Sequence, residues 1–333
     1  MGAPRFELTA SPHIKGPDST PRIMWSVVGS LVPVIAAATY YFGPSALLVI
    51  AATPFGCLLT ERLFGKGGSI ADGSAVITGL LLGLTLPAGL PLWMAFAGGV
   101  IAIALGKLIF GGLGQNVFNP ALLGRAFLQA AFPEDLTTWP AAAESWWQLR
   151  GDNFAFPLMS ADPLATVTGA TPLGSMKFEQ ISTELGSLVL GSTGGSLGET
   201  AAVAILLGGG YLALKKYLNW RIPVSILATV AVLAQIIHLV SPELYPDAAF
   251  MLFSGGLMLG AVFMATDMVT SPTTNLGCWI FGAGIGALVV LIRLWGGLPE
   301  GVMYAILLMN AMVPFINRAT QPRVFGTKKE AVA

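Results

Sequence analysis

Long runs of apolar residues constrain the fold of this chain more than any other feature. A helix needs about 20 such residues to cross the hydrocarbon core of a membrane, and ten segments approach that length. They are residues 23–42, 44–63, 70–87, 91–110, 115–132, 199–217, 221–240, 248–266, 277–295 and 300–317. Only 10% of the 333 residues are charged, whereas soluble domains average about 25%. The sequence therefore predicts an all-α polytopic membrane protein with about ten transmembrane helices.

Two of these segments are unusual for membrane-spanning helices. Segment 70–87 is short and follows a glycine-rich run at 65–68. Segment 115–132 contains Asn116, Asn119 and Arg125. Irregular backbone is stable at membrane depth only where protein or a water-filled cavity covers it. Either segment is therefore a candidate for a broken or re-entrant helix.

The basic residues indicate the orientation, because cytoplasmic loops carry an excess of lysine and arginine. With a cytoplasmic N-terminus and ten crossings, 13 of the 17 basic residues fall inside, while Arg150, Lys177 and Arg293 fall outside. Both termini are therefore predicted to be cytoplasmic. The predicted order is a cytoplasmic arm (1–22), a first five-helix repeat (23–132), an extracytoplasmic loop (133–198), a second five-helix repeat (199–317) and a cytoplasmic tail (318–333).

The two halves are predicted to form an inverted repeat. Five spans are an odd number, so two similar halves would have opposite orientations, as in many transporters. The string Gly79-Leu-Leu-Leu-Gly83 in the third segment is similar to Gly256-Leu-Met-Leu-Gly260 in the eighth segment, at the equivalent position. The span count alone is also compatible with a channel or transporter without a redox group.

Several functional classes are disfavoured by what the sequence lacks. The net charge is zero, so no nucleic-acid partner is predicted. The sequence has no phosphate-binding P-loop, no dinucleotide fingerprint, no zinc-protease motif and no haem attachment motif. Cys57 and Cys278 are the only cysteines, too few for an iron–sulfur cluster or zinc site alone, and we interpret them as buried thiols.

The loop 133–198 is the only long polar segment, and it contains a hydroxyl-rich turn. The turn reads Thr168-Gly169-Ala170-Thr171, followed by Pro172. Small residues and proline of this kind are typical of a simple connection. However, the turn also resembles the [Ser/Thr]-Gly-Ala-Thr motif of the membrane flavin subunits of the Rnf electron-transport complex and of the sodium-pumping NADH:quinone reductase.

The resemblance to that family extends along nearly the whole chain. The N-terminal Ser11-Pro-His13-Ile14, the fifth-segment string Gly114-Gln-Asn116-Val-Phe-Asn119-Pro-Ala121 and the string Asp267-Met-Val-Thr-Ser-Pro272 all resemble the D subunits of Rnf complexes. One position departs from the flavin-attachment pattern. That pattern usually has an acidic residue three positions before its first hydroxyl residue, and here the position is Ala165, with Asp162 as the nearest acid.

The resemblance implies a flavoprotein component of a translocase, in the bacterial inner membrane. It implies FMN bound covalently through a phosphoester to Thr171 on the outer face, made by a flavin transferase that reads Thr168, Gly169 and Ala170. It also implies a second, non-covalent flavin, riboflavin, within the helix bundle. The implied partners are the other Rnf subunits, especially a periplasmic FMN-bearing subunit and iron–sulfur membrane subunits, together with membrane lipid and Na⁺ or H⁺. The short N-terminal arm favours the Rnf protein over the B subunit of the quinone reductase.

Polar residues at membrane depth are the other site candidates, because their burial is costly. Arg125 has two open interpretations: contact with an anionic group or a flavin edge through its planar donor fork, or pairing with a neighbouring subunit or the membrane surface. Asn116 and Asn119 either contribute to the second flavin site or cap the start of a helix. The carboxylates Asp72, Asp247 and Asp267 and the imidazole of His238 are interpreted mainly as structural groups, with cation or proton transfer as the alternative.

Overall fold

The computed structural model describes residues 18–65, 69–140, 147, 149, 151–157, 169–191, 193–199 and 202–322. Every regular element within these ranges is helical. The first half contains α1 (Thr20–Phe42), α2 (Pro44–Phe64), α3 (Ser74–Leu84), α4 (Leu92–Ile103) and α5 (Pro120–Ala131). The connecting region contains α6 (Pro133–Thr137), α7 (Pro172–Gly174) and α8 (Leu185–Leu190). The second half contains α9 (Ala202–Leu214), α10 (Arg221–Val240), α11 (Ala248–Phe253), α12 (Leu257–Leu259), α13 (Asn275–Trp295) and α14 (Val302–Thr320).

Within the described ranges, five helices are long and apolar enough to cross a membrane, namely α1, α2, α10, α13 and α14. Shorter apolar helices occupy 74–84, 92–108 and 202–214; the second of these is α4 with its π-helical extension Ala104–Leu108. The prediction of an all-α polytopic membrane protein is confirmed at this level. Each of the ten predicted segments contains helix, but the count of ten crossings and the inverted repeat stay predictions. Residues 1–17 and 323–333, with His13, lie outside the described residues.

The eighth predicted segment, 248–266, is not one continuous helix, so that expectation was wrong. Helix α11 ends at Phe253, and α12 begins at Leu257 and continues as a π-helical turn, Gly260–Met264. Between them Gly255 has φ = 65°, a left-handed conformation that glycine adopts without steric cost. The segments at 70–87 and 115–132 are also short, because α3 ends at Leu84 and α5 begins only at Pro120.

Small residues allow the helices to approach closely, as is common in membranes. A Cβ atom on Gly79 of α3 would lie 2.3 Å from Pro54 Cα of α2. A Cβ atom on Gly282 of α13 would lie 2.9 Å from the carbonyl oxygen of Ile222 in α10. The glycine string of the third segment therefore serves helix packing.

A buried ion pair joins α2 to the π-helical turn after α4. The ammonium nitrogen of Lys107 lies 2.5 Å from Oε1 of Glu61, and the two side chains are 4% and 0% exposed. Lys107 also donates to Ser74 Oγ at 2.6 Å, which in turn donates to Asp72 Oδ1 at 2.6 Å. Lys107 is therefore an ion-pair partner buried among the helices.

Candidate functional site

A polar cavity lies where the short helices end. Its volume is about 550 Å³, within the roughly 300–1,000 Å³ range of small-molecule and cofactor sites. The end of α3, the break in segment 248–266 and the connecting region all contribute to its wall. The polar or small residues on the wall include Thr85, Arg125, Gly169, Ala170, Thr171, Ser196, Glu199, Gly256 and Glu300.

Arg125 forms an ion pair inside the chain. Its NH2 lies 3.4 Å from Oε2 of Glu300, and its NH1 donates to the carbonyl oxygen of Thr85. Oε1 of Glu300 accepts from the backbone N–H of Gly256 at 2.6 Å. Glu199 is the second carboxyl here, since its Oε1 lies 3.9 Å from the Cβ position of Gly256. Arg125 therefore meets an anionic group of its own chain.

Arg293 stabilises the break in segment 248–266. Its NH1 donates to the carbonyl oxygen of Met251 at 2.5 Å, and its NH2 donates to that of Ser254 at 2.9 Å. These carbonyl groups lie at the end of α11, where the helix supplies no further donors. Arg293 is only 3% exposed. Counting it among the basic residues outside the membrane did not predict this buried role. An arginine within an apolar run was the available signal.

Thr171 lies at the edge of the cavity as the N-cap of α7. Its Oγ1 accepts a hydrogen bond from Gly174 N at 3.1 Å, and its backbone is extended, with φ = −73° and ψ = 152°. Before it, Gly169 N donates to the carbonyl oxygen of Trp139 at 2.8 Å. Thr168 lies outside the described residues.

Lys177 fixes the segment that follows Thr171. Its ammonium nitrogen lies 3.3 Å from the carbonyl oxygen of Ile292, 2.5 Å from that of Gly296 and 3.0 Å from that of Leu298. All three belong to the C-terminal end of α13 or the loop after it. The sequence alone gave Lys177 no such role, because its partners lie more than 100 residues away.

Asn116 and Asn119 belong to a different polar cluster. Asn119 caps α5, with Oδ1 accepting from Ala121 N at 3.0 Å and Leu122 N at 3.3 Å, and its Nδ2 donates to Met264 O at 3.1 Å. Asn116 donates to Phe118 O at 3.3 Å. The cleft lined by both asparagines and by Asp267 has a volume of about 130 Å³. The capping interpretation therefore describes Asn119 in this structure.

The remaining candidate groups have local partners. Asp247 caps α11 by accepting from Phe250 N at 2.8 Å. Asp267 accepts from Thr270 Oγ1 at 3.1 Å, and His238 Nδ1 lies 2.8 Å from Tyr245 O. Cys57 and Cys278 are free and buried, as the sequence indicated.

These features define a polytopic helical membrane protein in which interrupted helices enclose a charged cavity beside an N-capping threonine. The chain belongs to the NQR2, RnfD, RnfE family, whose model matches residues 7–326.

Similar proteins match almost end to end. The chain is 42% identical to the D subunit of the proton-translocating ferredoxin:NAD(+) oxidoreductase complex of Clostridium ljungdahlii, over 97% of each chain. It is 41% identical to the D subunit of the Na(+)-translocating ferredoxin:NAD(+) oxidoreductase complex of Acetobacterium woodii, over 100% of each chain. It is also 37% identical to the D subunit of the ion-translocating oxidoreductase complex of Escherichia coli K12, over 97% of this chain and 99% of the relative.

Proposed function

We propose that this chain is the D subunit of an ion-translocating ferredoxin:NAD⁺ oxidoreductase complex and that it carries FMN through a phosphoester on Thr171. The end-to-end similarity to proteins of that name supports the first part. The observation that supports the second is Thr171 itself, a capping hydroxyl at the edge of a 550 Å³ cavity.

The hydrogen bonding of Thr171 is compatible with esterification. Its Oγ1 serves as an acceptor for Gly174 N, and an ester oxygen retains a lone pair for that bond. Among the described residues, no hydrogen bond donated by its hydroxyl is found. A phosphoryl group would therefore replace a hydrogen for which the described residues show no acceptor.

The cavity is also large enough for a planar cofactor. Its volume fits a ring system of flavin size, and Arg125 provides a guanidinium on its wall. Bound FMN would supply the electron-carrying chemistry, and the residues of the chain would hold it and set its surroundings. Thr171 would tether it, and the Arg125–Glu300 pair would provide a fixed, charge-balanced wall.

The second flavin, riboflavin, has weaker support. The cleft at Asn116 and Asn119 has a volume of about 130 Å³, below the range of about 300–1,000 Å³ for small-molecule sites. A flavin there requires the cleft to widen or another subunit to complete it. We therefore derive no electron-transfer step through this site.

The proposed setting is the bacterial inner membrane, with both termini cytoplasmic and residues 133–198 on the outer face. The partners are the other subunits of the complex, including a periplasmic FMN-bearing subunit and iron–sulfur membrane subunits, and a flavin transferase for maturation. Relatives of nearly equal identity are named for H⁺ and for Na⁺, so either ion is a candidate for the coupled transport.

The test is the covalent flavin band of the denatured protein, read by in-gel fluorescence after production with the transferase. We expect a band in the wild type and none in Thr171→Asn. Asparagine is as good an N-cap as threonine, so this variant keeps the cap of α7 but has no hydroxyl to esterify. Thr138→Val, a hydroxyl loss on the same cavity wall, should keep the band.

The possible results separate the proposals. A wild-type chain without a band would refute the flavin proposal and leave a flavin-free channel or transporter as the alternative. A band that persists in Thr171→Asn would move the attachment to another residue. Electron transfer to quinone in place of NAD⁺ by the purified complex would favour the B subunit of the sodium-pumping quinone reductase.

A further inference from the structure

The segment that begins at Thr171 is held at its other end by one side chain. Lys177 follows Thr171 by six residues, and its ammonium group donates to the carbonyl oxygens of Ile292, Gly296 and Leu298. An ammonium group has three N–H donors, so all three are used. The side chain is half-buried between its own segment and the loop after α13.

The acceptors of Lys177 lie at a helix end that favours a cation. Ile292 O lies in the last turn of α13, where the helix carries partial negative charge, and it also accepts from Gly296 N at 2.9 Å. Gly296 O and Leu298 O belong to the loop that follows. Glu300, which pairs with Arg125 and binds Gly256 N, lies two residues further along. Lys177 therefore binds the loop that supplies the charged wall of the cavity.

The connection between Lys177 and Thr171 is short and ordered. Thr171 caps α7, and its carbonyl oxygen accepts from Ser175 N at 2.9 Å. The π-helical turn Ser175–Glu179 continues directly from α7. Gln180 ends the turn with φ = 58°, and Ile181 N donates back to Ser175 O at 3.3 Å. A displacement of Lys177 would therefore be transmitted to Thr171.

We propose that Lys177 is a positioning residue that fixes the cofactor-bearing threonine against the cavity by binding the end of α13. This inference rests on the proposed function for its importance, because it concerns the attachment point of the flavin. Lys177 need not touch the cofactor. Its role is to keep Thr171 at a constant distance from the cavity wall, and electron transfer depends steeply on distance.

The experiment measures the mobility of the segment with and without the flavin. In protein made without the flavin transferase, a nitroxide spin label is attached to the variant Ala170→Cys. Ala170 is exposed, and this substitution leaves Thr171 unchanged. Cys57 and Cys278 are 0% exposed, and label uptake by the parent protein checks that they stay unlabelled. Lys177→Met, Lys177→Arg and the exposed control Lys215→Met are compared in this background. In flavinylated protein with Ala170 restored, the readout is flavin fluorescence anisotropy.

We expect Lys177→Met to change the electron paramagnetic resonance spectrum of the spin label from mostly immobile to mostly mobile. It should also lower the flavin fluorescence anisotropy and leave the in-gel flavin band unchanged. Lys177→Arg keeps the charge and the donors and should restore both signals in large part. Lys215→Met should match the parent. An equally immobile label in Lys177→Met would overturn the inference, as would loss of the flavin band without a change in label mobility. Absence of any wild-type flavin band refutes only the proposed function, because the spin-label comparison needs no flavin.

Discussion

Replacing Lys107 by methionine removes the cation from the buried ion pair with Glu61. The two groups are 2.5 Å apart, with side chains 4% and 0% exposed. In the wild type, Lys107 donates to Oε1 of Glu61, and Oε2 has no hydrogen-bond partner among the described residues. The variant therefore removes the hydrogen bond that Lys107 donates to this carboxylate. Breaking a buried pair from one side costs about 3–5 kcal/mol, because the remaining charge is uncompensated. We expect the free energy of unfolding to fall by that amount.

The double variant Lys107→Met/Glu61→Met should recover most of this loss. Replacing a whole buried pair by apolar side chains of similar volume is often neutral or stabilising. Ser74 loses its donor in both variants but keeps Asp72 as a partner, so its contribution cancels in the comparison. The double variant should lie within about 1–2 kcal/mol of the wild type, which makes the coupling energy of the pair large and favourable.

The assay is equilibrium unfolding in mixed micelles with increasing dodecyl sulfate. Reaction of Cys57 and Cys278 with a fluorogenic maleimide reports unfolding, since both thiols are free and buried in the folded protein. Lys215→Met, at an exposed position, is the control for loss of one lysine. A cost of less than about 1 kcal/mol for Lys107→Met, or a double variant no more stable than Lys107→Met, would refute the cost of an uncompensated buried charge.

Two further predictions concern packing and pH. Gly79→Ala should destabilise the protein by about 1–3 kcal/mol, because its Cβ would lie 2.3 Å from Pro54 Cα. Gly29 has open space around it, so Gly29→Ala should be neutral or stabilising by up to about 1 kcal/mol. A Gly29→Ala variant less stable than Gly79→Ala in the same unfolding assay would contradict this. Burial and the nearby Glu134 raise the pKa of Asp135. The Asp135 carboxyl therefore binds a proton more tightly in the folded protein than in the unfolded chain. Its contribution to the free energy of unfolding is complete below the ordinary carboxyl pKa and is lost as the pH rises through the raised pKa. Asp135→Asn should reduce the decline of the melting temperature with rising pH. An unchanged slope of melting temperature against pH would contradict this prediction.

The sequence predicted the helical segments well because each apolar run is a local signal. It also named segments 70–87 and 115–132 as candidates for a broken or re-entrant helix, from a glycine run and from the polar residues of 115–132. The break at Gly255 was missed, since glycine is frequent in membrane helices and its φ = 65° leaves no separate mark in the sequence. Arg293 gave a hint, but only the fold shows that it serves the carbonyl groups at that break.

The site was predictable only in part. Thr171 came from a resemblance, and its capping bond to Gly174 is local enough to read from a Thr-Pro pair. The pair Arg125–Glu300 spans 175 residues, and Lys177 reaches Ile292 across 115 residues. No periodicity or spacing encodes such contacts, because they arise only when distant parts of the chain pack together.

The Arg125–Glu300 pair has a consequence for biosynthesis. Glu300 is made 175 residues after Arg125, which takes roughly 10–35 s at typical translation rates of about 5–20 residues per second. During that interval the arginine has Thr85 O as an acceptor but lacks the carboxylate of Glu300. The nascent first half must therefore keep this charge hydrated or shielded until the last hairpin inserts. A chain that stops before Glu300 would leave Arg125 without its ion-pair partner, and an ionisable group at membrane depth is costly without one.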